Sequence, residues 1–204
     1  FAHRGSALFS VYVGVREPSS DLPRYLSAAA AMESRAFPAF AYDPFVGDNQ
    51  AARFVLTDNA QPESDWPATS LSYADEQLQR VETMVGFTYI DFVLCDRRYA
   101  VHFARVPRDR WNAAMVPAAE WLARDGKAGG DAVPYVLAVD ADDILHRVIV
   151  DAKLMNAAIR CRTFWHRLQE QGGIHNSHAE RLLARERAAW EAQLAIDRQA
   201  AEGA

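Results

Sequence analysis

Cysteine is nearly absent from this chain. Cys95 and Cys161 are the only two in 204 residues. Two residues so far apart exclude a cysteine cage for a metal or cluster, and both read as buried free thiols on apolar helix faces. Burial of that kind raises a thiol's pKa instead of activating it. Other signatures are missing as well. GKAGGD (126–131) lacks the GK[ST] ending of a phosphate loop, and no GxSxG elbow offers a nucleophilic serine. No apolar run is long enough to span a bilayer. Basic charge does not dominate: the formal net charge of −5 argues against nucleic-acid binding through the overall field. There is no signal peptide, which fits the cytoplasm. The chain opens at Phe1 without a Met, almost directly on a strand pattern, as if cut from a longer polypeptide.

What is present suits a folded domain. Half the residues are hydrophobic and 24% are charged. Five Trp, ten Phe and seven Tyr supply bulk for the core of one domain, or of one domain with an appended arm. Ala7–Val15 reads as a buried strand closed by the polar turn Arg16–Asp21. Asp21 and Pro23 open a helix that runs to about Ala36. Residues 38–72 are irregular and rich in Pro, Asp and Asn, with RFVLT (53–57) as a short extended piece. Phe37, Phe40, Tyr42, Phe45 and Trp66 are expected to pin this loop onto the body.

Further helices are expected from about Ser72 to Met84, over 88–105 behind a capping box at Thr88–Asp91, and from Trp111 to Arg124. VPYVLAVD and ILHRVIVD form the clearest β-hairpin, over 133–150. Asp151 then caps a helix whose Leu154, Ala158, Cys161, Trp165 and Leu168 make a narrow seam, with Lys153, Arg160 and Arg167 on a solvated ridge. Gly172–Gly173 supply a left-handed stop, and Ser177–Glu180 is a capping box for a last helix with Leu183, Trp190 and Leu194 on one stripe.

Candidate chemistry is sparse. His175 and His178, beside Asn176 and Glu180, have a spacing that suits a metal, but no third ligand stands at a recognisable distance and a helix turn explains them better. Asp140, Asp142, Asp143 and Asp151 invite a calcium reading. The position that requires Gly would be Leu145, so a hairpin turn accounts for the acids. CDRRYAVHFARVPRDR (95–110) is basic with interleaved aromatics, yet Asp91, Asp96 and Asp109 dilute it into a solvated ridge. No catalytic, cofactor-binding or metal-binding residue is therefore assigned.

Four segments together carry a resemblance: ESRAFPAFAYDP (33–44), DNAQPESDWP (58–67), CDRRYAVHFARVP (95–107) and LQEQGGIHNSHAERLL (168–183). They resemble a region of the large multidomain pyruvate-type 2-oxoacid:ferredoxin oxidoreductases. Such enzymes hold thiamine diphosphate through a GDG…N segment and iron–sulfur clusters through CxxCxxC runs, and neither motif occurs here. The resemblance thus implies an accessory, non-catalytic portion, packed against neighbouring domains or subunits that carry those cofactors. It carries over no site residue.

The expected architecture is α+β: a helix-rich domain (1–174) with one β-hairpin in a small sheet that Ala7–Val15 joins, and a C-terminal helical pair. Its last helix (175–204) packs on the domain and frays at the end. The alternative to an accessory oxidoreductase domain is a non-enzymatic protein–protein interaction module docking through the C-terminal helices. A third reading is a small-molecule pocket roofed by the loop 37–66.

Overall fold

The computed structural model describes residues 5–13, 22–124 and 131–202. The chain is α+β, with five α-helices and eight strands among those residues. The strand expected at Ala7–Val15 is not formed: residues 7–13 are irregular, Leu8, Phe9, Val11 and Val13 are exposed, and 14–15 lie outside the described residues. A β-branched run is a strand only when another strand pairs with it, and none does among the described residues. The turn 16–21, with Asp21, also lies outside them. Helix α1 (Arg24–Glu33) starts just after Pro23 and ends short of Ala36, because Arg35 turns left-handed at φ 59°.

The loop that follows contains the small pair β1 (Ala41–Tyr42) and β2 (Phe54–Val55). The next stretch corrects a helix to a hairpin, β3 (Ala68–Ala74) and β4 (Arg80–Gly86). Gln77–Met84 is full of good helix formers, but Val81, Thr83 and Val85 alternate with exposed Glu82 and Met84, the period of a half-buried strand. Asp75 builds the turn by accepting hydrogen bonds from the N–H groups of Gln77 and Gln79 at 2.9 and 2.8 Å.

Thr88 caps α2 (Tyr89–Leu94) in the expected capping box with Asp91. The helix is far shorter than 88–105. Asp96 ends it by accepting from the Arg98 N–H and clasping the Arg98 guanidinium, and a 3-10 turn leads into β5 (Phe103–Val106). The helix expected over 111–124 is likewise divided into β6 (Met115–Pro117) and α3 (Ala118–Ala123).

The hairpin is present as β7 (Val133–Val139) and β8 (Leu145–Val150), but it is the centre of a four-stranded sheet in the order β5-β8-β7-β6. The partners the sequence pattern hid are β5, antiparallel to β8, and β6, parallel to β7 through the α3 crossover. Val136, Val148 and Val150 point from one face of this sheet into a core with Ile90, Val93, Leu122, Leu154 and Ala158. On the other face Arg147 lies 4.5 Å from both the Trp111 and the Tyr135 ring centroids.

Helix α4 (Ala152–Gln171) is capped by Asp151, whose Oδ1 accepts from the Leu154 N–H at 3.0 Å. Leu154, Ala158, Trp165 and Leu168 are buried on its seam as expected, while Lys153, Arg160 and Arg167 are exposed. Helix α5 (Ser177–Glu202) completes the C-terminal pair and stays helical beyond Ile196. No helix among the described residues is long and apolar enough to cross a membrane.

Candidate interaction surface

The surface at the C-terminus is built from a buried anchor outward. Arg35 is fully buried at the end of α1. Its Nη2 donates to the carbonyls of Ala60 and Gln61 at 2.7 and 2.9 Å, and its Nε to that of Asp65 at 3.3 Å. The guanidinium lies 4.2 Å from the Trp165 ring centroid, a stacked cation–π contact. Burial lowers its pKa to about 10, so the charge is kept at neutral pH. Trp165 Nε1 donates to Ser64 O at 2.9 Å, and Gln169 Nε2 to Pro62 O at 2.8 Å. One loop, 60–65, thus wraps the end of α4, its carbonyls accepting from the side chains of Arg35, Trp165 and Gln169.

These polar ties correct the expected role of the aromatics. Trp66 is buried in the core and pins the loop as expected, but Phe40 and Tyr42 pack tilted against Phe54, with ring centroids 6.3 and 5.0 Å apart, and Phe45 is exposed. Asn59 binds the loop together instead, its amide bonding both the N–H and the carbonyl of Ala39.

The turn from α4 to α5 sits on this platform. A Cβ at Gly172 would lie 2.6 Å from Cδ1 of the buried Leu56, so any larger residue there would displace that side chain. Gly173 takes the expected left-handed conformation at φ 71°. His175 Nε2 lies 2.8 Å from Glu63 O. The cap is Asn176 rather than Ser177: Asn176 Oδ1 accepts from the Ala179 N–H at 2.9 Å, whereas the Ser177 hydroxyl bonds Glu170 Oε1 at 3.0 Å. Asn176 is as good a cap as Ser and stands one residue earlier, which the Ser177–Glu180 spacing concealed.

From this turn α5 runs for 26 residues, about 39 Å at 1.5 Å per residue. The expectation that it packs on the domain is corrected: every residue from 177 to 199 is exposed. Leu183, Trp190 and Leu194 are 58%, 68% and 50% exposed. A helix that left its whole apolar stripe in water would gain nothing from tertiary packing, which is the usual source of helix stability. The stripe is an exposed apolar surface, a feature that commonly marks interaction sites.

The other candidates are dispersed by the fold. His175 and His178 do not converge: His175 Nδ1 is 3.6 Å from Glu180, and His178 is exposed on α5. Asp140 accepts from the N–H groups of Asp142 and Ile144 at 3.0 Å, a hairpin turn, and its Oδ2 is 2.6 Å from His146 Nε2. That His146 contact is the chief reason its carboxyl is held below the usual range. Asp151 caps α4 and meets His102 Nδ1 at 2.6 Å; the Leu154 N–H, before the His102 ring, lowers its pKa. No group of three or more His, Cys, Asp or Glu among the described residues is arranged to hold a metal.

The basic stretch 95–110 is divided between a 3-10 turn, β5 and a second 3-10 turn, with Arg98 paired to Asp96 and Arg108 to Glu76. Cys95 is exposed at the end of α2, not on a buried stripe. Cys161 is half-buried, donates to Arg35 O at 2.9 Å, and is pushed up to about 12 by burial against the lowering influence of Arg35. Surface cavities among the described residues include one of about 270 Å³ beside Arg105, Arg108, Trp111 and His146, and one of about 250 Å³ beside Asp65, His166, His175 and Glu180. The loop 37–66 contributes only Asp65 to either, so it roofs neither.

No protein family, curated protein or solved structure matches the chain.

Proposed function

We propose that this chain is a non-catalytic docking unit of a larger assembly, joined to its partner through α5. The observation that carries the reading is the exposed seam Leu183–Trp190–Leu194 on a helix otherwise uncovered along its length. A tryptophan offers a large, amphipathic contact and is the residue type that most often dominates an interface.

The four resembling segments favour one assembly, a pyruvate-type 2-oxoacid:ferredoxin oxidoreductase of the cytoplasm. Here the chain would be the accessory portion beside domains carrying thiamine diphosphate and iron–sulfur clusters. The chemistry agrees with that division of labour. Decarboxylation of a 2-oxoacid needs an electron sink that side chains do not supply. The sequence contains no thiamine or cluster motif with which to hold one. The second reading, an interaction module with an unrelated partner, uses the same helix and needs no oxidoreductase nearby.

The test is an assay with pyruvate, coenzyme A, thiamine diphosphate and a dye acceptor. The purified chain alone is expected to be inactive. A cofactor-bearing polypeptide of such an enzyme is expected to bind it, and Trp190→Glu to weaken that binding at least tenfold. Turnover by the chain alone overturns the accessory reading. Failure to bind, with no dependence on α5, leaves the resemblance without support.

A further inference from the structure

We propose that the cavity beside Trp111 binds a small organic carboxylate, a molecule with one anionic head and an apolar body. The cavity exists because two strands part. The β5–β8 ladder ends at the pair Val106–Arg147. Pro107 follows, and with no N–H to donate it does not extend the ladder. The chain then makes a 3-10 turn over Arg108–Arg110 and brings Trp111 back, its Nε1 donating to Val106 O at 3.1 Å. The gap beyond the ladder measures about 270 Å³ and is mostly apolar, with Val106, Pro107, Trp111 and Leu145 in its walls. Its polar members are Arg105, Arg108 and His146.

Two of those members are permanent cations, and no carboxylate among the described residues lines the cavity. The nearby acids are otherwise engaged or stand outside. Asp140 Oδ2 holds His146 Nε2 at 2.6 Å, and its Oδ1 accepts from the N–H groups of Asp142 and Ile144. Asp109, Asp142 and Asp143 are exposed and contribute nothing to the lining. Glu76 reaches Arg108 Nη2 at 3.3 Å, through side chains that are both more than half exposed. An exposed pair of that kind is weak and gives way to a better-placed carboxylate. A further cation is stacked on the Trp111 wall. Arg147 lies 4.5 Å from both the Trp111 and the Tyr135 ring centroids. Its Nη1 donates to Met115 Sδ at 3.9 Å, a weak acceptor, and its buried Nε has no partner among the described residues. No carboxylate among those residues pairs with it, so its charge adds to the potential that draws an anion.

These features select a ligand class. A guanidinium matches a carboxylate with two parallel hydrogen bonds. A sugar would set hydroxyl groups without partners against Val106, Pro107 and Leu145. Inorganic phosphate would engage the cations and leave the apolar walls uncovered. A carboxylate on an apolar body meets both the charge and the lining. The site uses nothing from α5, so it stands apart from the docking role.

Titration of the intact chain with benzoate, followed by NMR of the tryptophan indole N–H signals, tests the idea. The Trp111 signal is assigned by its loss in Trp111→Phe. The expected result is a saturable shift of that signal, with a Kd of about 10 mM or tighter. Benzamide, the uncharged counterpart, and inorganic phosphate should each bind at least roughly tenfold more weakly. Arg105→Gln with Arg108→Gln should weaken benzoate by about tenfold or more at an unchanged urea midpoint, and Glu76→Gln should tighten it by freeing Arg108. Any of four results overturns the proposal: no saturation of the Trp111 signal, benzamide as tight as benzoate, phosphate tighter than benzoate, or an affinity indifferent to the paired arginine change.

Discussion

Arg35 joins three parts of the fold: the end of α1, the loop 60–65 and Trp165 of α4. A non-glycine residue at φ 59° is uncommon and strained, and here the strain is held by a guanidinium that ties down the loop 60–65 and stacks on Trp165. Nothing local in ESRAFP marks it; an arginine just past a helix end ordinarily reads as a solvated cation near the helix dipole. Trp165→Ala is expected to cost about 3–5 kcal/mol, since the side chain is fully buried. Arg35→Ala should cost about 3 kcal/mol or more by orphaning several carbonyls. The two changes should couple by about 0.5–3 kcal/mol in a double-mutant cycle followed by urea unfolding. Simple additivity would show that the stack contributes nothing. At the α5 cap, Asn176→Ala should cost about 0.5–2 kcal/mol of helix stability. Ser177→Ala should cost less than Asn176→Ala, because it loses one exposed bond to Glu170. Helicity of the C-terminal segment, followed by amide exchange, compares the two.

The elements divide by how local their instructions are. Helix α4 and the β7–β8 hairpin follow from short-range pattern: an Asp cap, a seam of spacing three and four, and alternating apolar runs around Asp140. The β3–β4 hairpin does not, because helix-forming side chains fill a segment whose register with its neighbour is decided across a turn at Asp75. Helix α5 is the extreme case, a well-patterned helix whose residues 177–199 are all exposed and whose hydrogen bond to α4 is at its first turn, from Ser177 to Glu170. Removing residues 177–204 should therefore leave the domain's thermal midpoint within about 2 °C, a change of under about 1 kcal/mol for a domain of this size. A large loss would mean that α5 covers the core after all, and would also count against the docking role proposed for it.

For the molecule as a whole, acid response is set by opposing groups. Burial pushes the Asp91 carboxyl up to about 6, against the lowering by its bonds to Thr88. The fold therefore prefers this group protonated. Its contribution is fully present below the unfolded pKa of about 3.9 and is lost as the pH rises through about 6. Asp140 and Asp151, held low, act the other way and lose their stabilisation as the pH falls. Urea midpoints of wild type and Asp91→Asn isolate the first effect: the wild type should lose ground to the variant between about pH 4 and 6. A constant difference would show that Asp91 titrates like an exposed carboxylate.

The α+β class, the capping box at Thr88, the central hairpin, the buried Trp165 seam and the glycine stop before α5 were all legible in the residues, because each depends on neighbours within a turn or two. So was the stripe on α5, and with it the candidate surface. Tertiary structure alone decided which strands flank the hairpin, that residues 103–106 and 115–117 leave the helical state to do so, and that the irregular loop is held by Arg35 and Asn59. It also decided that the Leu183–Trp190–Leu194 stripe faces water. The reason is physical: a helix carries its hydrogen bonds within itself, whereas a strand, a buried cation or an uncovered apolar face takes its meaning from residues far away in the chain.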